Sequence, residues 1–199
     1  MCIRDSLPIF ILFIGAFALQ AQKQETLRST ARNKGGFGGL YFVFSQANGD
    51  AGGGAGINGA FIRNDWFFGG FLQAESFDQR RINNSNYNPG LFTTGPWIGY
   101  AYPSYKLVHL YTSLKIGFGG AVLTRQDNDP FDNDDFSTGV IAIMPEIGAE
   151  INALPWLRIA ATLGYRSVGN LTGLPGYGPR DFNSPMFAIS LRAGAFGYR

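Results

Sequence analysis

The side chains in this sequence that could do chemistry are few and scattered. His109 is the only histidine. With Ser113 four residues on and a carboxylate nearby, it could supply the base and nucleophile of a hydrolase acting on a surface lipid. In an extended strand, however, four residues span about 13 Å, too far for a direct hydrogen bond. The run RQDNDPFDNDDF brings Asp127, Asp129, Asp132, Asp134 and Asp135 together. Oxygen ligands at that density suit a hard cation such as Ca²⁺. The EF-hand order fails, because Phe131 takes the third ligand position and no glycine follows it, so the run reads as an acidic, solvated loop. Gly54, Gly56 and Gly59 match G-x-G-x-x-G, but no βαβ unit surrounds them, and the match reads as a glycine-rich strand. No catalytic, metal or cofactor residue is assigned.

A second set carries more weight. Lys115, Glu146, Glu150, Arg158, Arg166 and Arg192 each fall inside a segment that alternates apolar and polar residues. In LVHLYTSLKIGFGGAV one face carries Val108, Leu110, Thr112, Leu114, Ile116, Phe118 and Val122. The other carries His109, Tyr111, Ser113, Lys115, Gly117, Gly119 and Ala121. The same period of two sets Ile141, Ile143, Ile147 and Ile151 against Met144, Glu146, Gly148 and Glu150. It sets Leu157, Ile159 and Leu163 against Arg158, Thr162 and Arg166, and Phe187, Ile189 and Leu191 against Ala188, Ser190 and Arg192. Adjacent strands lie about 4.8 Å apart, so Glu146 and Glu150 are expected to pair across strands with Lys115, Arg158 and Arg166.

Eight such segments recur, at about 36–46, 52–63, 66–77, 90–102, 107–124, 137–151, 156–168 and 185–198, with turn-like clusters between them. The first three are blurred, since Phe and Gly fall on both faces. Links near Asn64-Asp65, Pro103-Ser104 and Asn152–Pro155 are short. Those at 46–51, 78–89, 125–136 and 169–184 are longer, the first only modestly, and polar or rich in Gly and Pro. Alternating short turns and long loops is the pattern of an outer-membrane barrel. Trp66 and Trp156 follow short turns, and Tyr100, Tyr102 and Tyr105 flank another, as an aromatic girdle requires. The sequence therefore predicts an all-β fold, an eight-stranded antiparallel up-and-down transmembrane β-barrel over 36–199. Its apolar face would meet lipid and its charges would pair in the lumen.

Composition agrees. There are 28 glycines and 18 phenylalanines, only 15% charged residues and a net charge of +2. Glycine-rich disorder would lack the aromatics and the alternation. Near-neutral charge gives no nucleic-acid footprint. At the start, Leu7 to Leu19 is nearly all apolar. Thirteen residues of helix cover about 20 Å, short of a bilayer's roughly 30 Å, which suits a signal peptide cleaved after Ala21. Residues 22–35 would form a periplasmic N-terminal segment.

Two segments, GPWIGYAYPSYKLVHLYTSLKIGFGGA and IMPEIGAEINALPWLRIAATLGYR, resemble a group of small outer-membrane β-barrel proteins of Gram-negative bacteria. The whole chain is similar in plan to OmpA- and OmpX-like barrels. The resemblance implies residence in the outer membrane, contact with its lipid and lipopolysaccharide, and insertion by the barrel-assembly machinery. Such chains usually end on an aromatic residue, whereas here Tyr198 precedes Arg199. The first six residues, MCIRDS, resemble the translation of a sequencing adapter. On that reading Cys2 is foreign and the remainder has no cysteine. The expected role is structural, adhesive or interactive through four surface loops, including Arg80 and Arg81 in the second. The alternatives are a narrow channel or small-solute transporter, a lipid-modifying enzyme, and a soluble lipocalin-like binder. The last would need an apolar interior.

Overall fold

The computed structural model describes residues 34–82, 85–125, 136–170, 174–178 and 180–197. The expected signal segment, the stretch 22–33, the five aspartates of 127–135 and Tyr198-Arg199 lie outside the described residues. The strands are β1 (Lys34–Ala47), β2 (Asp50–Arg63), β3 (Trp66–Phe77), β4 (Arg80–Ile82), β5 (Ser85–Tyr102), β6 (Val108–Arg125), β7 (Phe136–Leu154), β8 (Leu157–Gly169) and β9 (Ser184–Ala195). All pair antiparallel in one sheet, which β3 closes by pairing with β5 and β1 by pairing with β9. Closure leaves each of the eight long strands with a neighbour on both sides, so their ladders are satisfied within the wall, while β4 pairs only with β5 among the described residues.

The nine segments make eight barrel strands, because β4 continues β3. Ser76 pairs with Gly90 and Arg80 with Tyr87, so three residues on one strand face two on the other. That single-residue bulge at Phe77–Gln79 interrupts the strand without ending it. The 78–89 link expected as a loop is thus largely strand, with Arg80 and Arg81 on β4. Its polar residues carry no apolar alternation to announce it. The link expected at 46–51 is also shorter than read. Asn48 and Gly49 both have positive φ, 51° and 90°, and form a two-residue hairpin turn between β1 and β2.

The alternation has a physical basis in the pleat. Along β6 the residues from His109 to Gly117 of odd number are buried and those of even number exposed, and β7, β8 and β9 repeat the pattern with the parity their register demands. The same holds for β3, where Phe67, Phe71, Gln73, Glu75 and Phe77 point inward. The outward set is apolar, including Leu40, Phe42, Phe44, Ile57, Leu110, Phe118, Ile147 and Leu163.

Large inward rings are accommodated by glycines directly across the ladder. Tyr41 pairs with Gly56, Phe67 with Gly99, Tyr111 with Gly148 and Phe77 with Gly52, and each ring lies over the space a Cβ would take. This complementarity explains why Gly and Phe abound together in a barrel whose interior is just wide enough for side chains. Gly99→Val should displace Phe67 and lower stability by about 1–3 kcal/mol, the usual cost of overpacking. Outward Gly53→Ala, where a Cβ meets the Val43 carbonyl at 3.7 Å and the Phe44 ring at 3.9 Å, both ordinary contacts, should stay within about 0.5 kcal/mol. Urea midpoints of the two folded variants measure the contrast.

Candidate functional site: the charged lumen

Three layers of polar side chains cross the barrel interior. At the short-turn end, Glu150 of β7 is 2% exposed and holds three partners. His109 Nε2 lies 3.0 Å and Arg158 Nη1 2.7 Å from Oε1, while Arg192 Nη1 lies 2.6 Å from Oε2. Arg158 and Arg192 stand opposite each other on β8 and β9. Like charges in that position repel, so the bridging carboxylate is what lets both be buried. Arg192 also donates to the Tyr111 hydroxyl at 2.9 Å, and Tyr111 hydrogen-bonds Thr162. The ring faces of Tyr111 and Trp97 flank the Arg192 guanidinium, 4.5 and 5.0 Å from their centroids. A guanidinium, weakly hydrated and planar, tolerates that aromatic seat better than an ammonium would.

In the middle layer Lys115 Nζ lies 2.8 Å from Glu146 Oε1, and Ser113 donates to Glu146 Oε2 at 2.8 Å. The Lys115 ammonium sits 4.4 Å from the Tyr41 ring centroid on β1, which is the diametrically opposite strand. The loop-end layer centres on Arg166, 0% exposed. Its guanidinium pairs with Glu75 across the lumen and donates to the carbonyls of Phe182 (2.9 Å) and Gln46 (3.0 Å) and to Ser184 Oγ (3.3 Å). Glu75 accepts further from Ser45 and from Gln73 Nε2 at 2.8 Å, and Gln73 accepts from Tyr41 at 2.9 Å. Tyr41 therefore links the middle layer to the outer one.

This arrangement differs from the pairing read off adjacent strands. Glu146 and Glu150 take Lys115 and Arg158 as neighbours, but Arg166 leaves β7 and reaches Glu75 on β3, four strands away around the barrel. Arg166 lies eight residues beyond Arg158, or about 26 Å along the strand, and so belongs to the other mouth. Glu75 and Gln73 were missed, although FLQAESF alternates them with Leu72, Ala74 and Ser76 and offered the signal. His109 and Ser113 do not form a catalytic pair: each serves a different glutamate. Among the described residues no group of three or more His, Cys, Asp or Glu side chains is placed to hold a metal ion.

Above the outer layer, residues 174–178 and 180–183 fold back over the loop-end mouth. Phe182 is fully buried against Phe77 (centroids 5.7 Å) and Tyr177 (5.4 Å). The Asn48 amide donates to the Asp181 carbonyl, and Val168 N donates to Asn183 Oδ1, fixing the loop to the wall. At the opposite mouth a cavity of about 20 Å³ remains beside Asp65, Glu150, Arg158 and Arg192. That is room for about one water.

The aromatic residues picked out from the sequence gather at the short-turn end. Trp66 opens β3 opposite Tyr100 on β5, with ring centroids 5.1 Å apart, and Tyr100 stacks on Tyr102 at 6.3 Å. Trp156 sits in the two-residue turn between β7 and β8. Trp66, Tyr102 and Trp156 are all exposed.

No family model matches the sequence, and no curated protein does. Solved structures do match. Neisserial surface protein A superposes with a TM-score of 0.59 at 11% identity, covering 81% of this chain and 96% of that one. Ail, the attachment invasion locus protein of Yersinia pestis, superposes with a TM-score of 0.51 at 14% identity, covering 81% and 97%. At these identities the likeness is one of fold, and the chain has the closed eight-stranded fold of small outer-membrane barrels.

Proposed function

We propose that this protein is an outer-membrane β-barrel with a structural, adhesive or surface-interaction role. Its wall contacts lipid, its short turns face the periplasm, and its longer loops face outward. One observation carries the reading: the burial pattern is inverted relative to a water-soluble protein. The charged and polar side chains line the sealed interior, while Phe42, Phe44, Ile57, Leu110, Ile147 and Leu163 are exposed around the outside. A soluble protein rarely exposes contiguous apolar surface beyond a few hundred Å². Trp66, Tyr100, Tyr102 and Trp156 then serve as the periplasmic girdle.

Within this reading the lumen is a plug. The ion pairs of all three layers are closed, and the fully buried Tyr41, Gln73, Trp97, Met144 and Arg166 fill the cross-section. Membrane lipid and lipopolysaccharide are the partners of the wall, and the barrel-assembly machinery is the partner during insertion. The narrow-channel alternative makes the opposite prediction in a planar bilayer. The plug predicts no resolvable steps above baseline, and regular steps from the unmodified protein would replace it with a pore.

The lipid contact has its own test. Ile147→Arg places a cation on the exposed face halfway along β7. In a bilayer it should cost about 2–4 kcal/mol, whereas a water-facing position would move by under about 0.5. Urea unfolding from liposomes reads the difference, and a near-zero shift would mean that this face is not in lipid.

A further inference from the structure

A cleft of about 400 Å³ opens at the short-turn rim between β1 and β2, lined by Lys34, Gly35, Phe61, Ile62 and Arg63. Lys34 and Arg63 face each other in register, and both are exposed. Neither makes an ion pair with any described residue. Two cations so close repel unless an anion sits between them. Arg63 also pairs in register with Trp66, which in turn pairs with Tyr100. The cations therefore stand at the level of the aromatic rings that mark a membrane interface.

The wall directly above the cations is hollowed. Outward positions at one level on β9, β1, β2 and β3 are Ala193, Gly38, Gly59 and Gly70, which are mutual register partners. The level above is Leu191, Leu40, Ile57 and Leu72. Below, Gly36 and Ala195 leave a passage down to Lys34, and Phe61, 81% exposed, forms its side wall. The result is a recess in the apolar face that leads from two cations at the headgroup level into the hydrocarbon.

Resting on the membrane reading above, we propose that this cleft is a specific glycerophospholipid site. Lys34 and Arg63 hold the phosphate, Arg63 through the paired N–H donors that suit its oxygens. One acyl chain lies along Phe61 and over Gly36, Gly38 and Gly59. Charge complementarity selects this occupant over a second copy of the chain. Two barrels packed through the small-residue face would bring Lys34 and Arg63 of both copies together at the same rim.

The test uses the full-length chain folded in nonionic detergent, with phosphatidylglycerol as the probe and native mass spectrometry as the readout. The wild type should retain one phosphatidylglycerol. Lys34→Gln with Arg63→Gln should weaken retention about thirty-fold, the loss of two interfacial cations. Gly38→Leu keeps both charges but fills the recess. A Cβ there meets only the Asn58 carbonyl at 3.8 Å, so the barrel should fold, and retention should fall about tenfold. Unchanged retention in either variant overturns the site. So does full displacement of the lipid by excess inorganic phosphate, which would leave a bare anion site, or a dimer mass in place of the lipid-bound monomer. Migration with and without boiling, recorded on the same samples, reports the membrane reading separately. A wild type that shows the shift yet retains no phosphatidylglycerol loses the lipid site and keeps the barrel.

Discussion

Replacing Glu150 by alanine should remove about 3–5 kcal/mol of barrel stability, the cost of stranding buried charge. The carboxylate is shared by Arg158, Arg192 and His109, each within 3.0 Å of one of its oxygens. Without it two guanidiniums confront each other across β8 and β9 in a low-dielectric interior. The expected readout is a lower urea midpoint for the protein folded in liposomes, together with fluctuating current in a planar bilayer. A second variant separates charge from shape. Glu150→Leu combined with Arg158→Met and Arg192→Met removes the carboxylate and both guanidiniums together, leaving only His109 of the cluster, and should recover most of the lost stability, since apolar replacement of buried, mutually paired charges is often neutral. If Glu150→Ala alone unfolds at the wild-type midpoint, the cluster does not hold the lumen together.

Arg166→Ala should have an effect of similar size at the other mouth, again about 3–5 kcal/mol. It leaves Glu75 buried without its cation and withdraws the donors held by the Phe182 and Gln46 carbonyls and Ser184. Because the Phe182 contact ties the outer segment to the wall, the loss should extend to that segment. Limited chymotrypsin digestion of the folded variant should cut after Tyr177 and Phe182, sites that are buried in the parent. Arg166→Lys should restore only part of the protection. A single ammonium on a flexible stem can pair with Glu75 but cannot hold the carbonyls in the same plane. Full protection by lysine would mean that charge alone, without the fork geometry, closes this mouth.

The parts of the fold legible in the sequence are those where one face is consistently apolar. Between Val108 and Val122 the period of two is unbroken, and the strand and its faces follow directly. Ile141 to Ile151 and Phe187 to Leu191 behave alike. Legibility fails where side-chain size carries the information instead of polarity. On β1 to β3 a phenylalanine faces lipid at Phe42 and the lumen at Phe67, and only the glycine opposite Phe67 distinguishes the two. It fails again at β4, whose Arg80 and Arg81 read as loop because the strand there leaves the apolar belt. The Asn48-Gly49 turn was legible, since Asn-Gly is a strong hairpin signal, yet its polar surroundings suggested a longer link.

For the lumen the limit is geometric. Parity places Lys115, Glu146, Glu150, Arg158, Arg166 and Arg192 on one face, and adjacency suggests neighbours such as Lys115 with Glu146. Which residue lies across the barrel depends on closure and stagger, which no local pattern encodes. The Arg166–Glu75 pair joins residues on diametrically opposite strands, so it became visible only with the closed sheet.

The central claim is a closed barrel with apolar surface outside and paired charge inside, and electrophoretic migration with and without boiling tests it most directly. The full-length chain, folded in detergent, should run as a faster band unboiled than boiled, with β-rich circular dichroism, and should precipitate when detergent is removed. A chain that stays soluble without detergent and migrates identically in both states would contradict the account. It would place the charged face toward water and the apolar face in the interior.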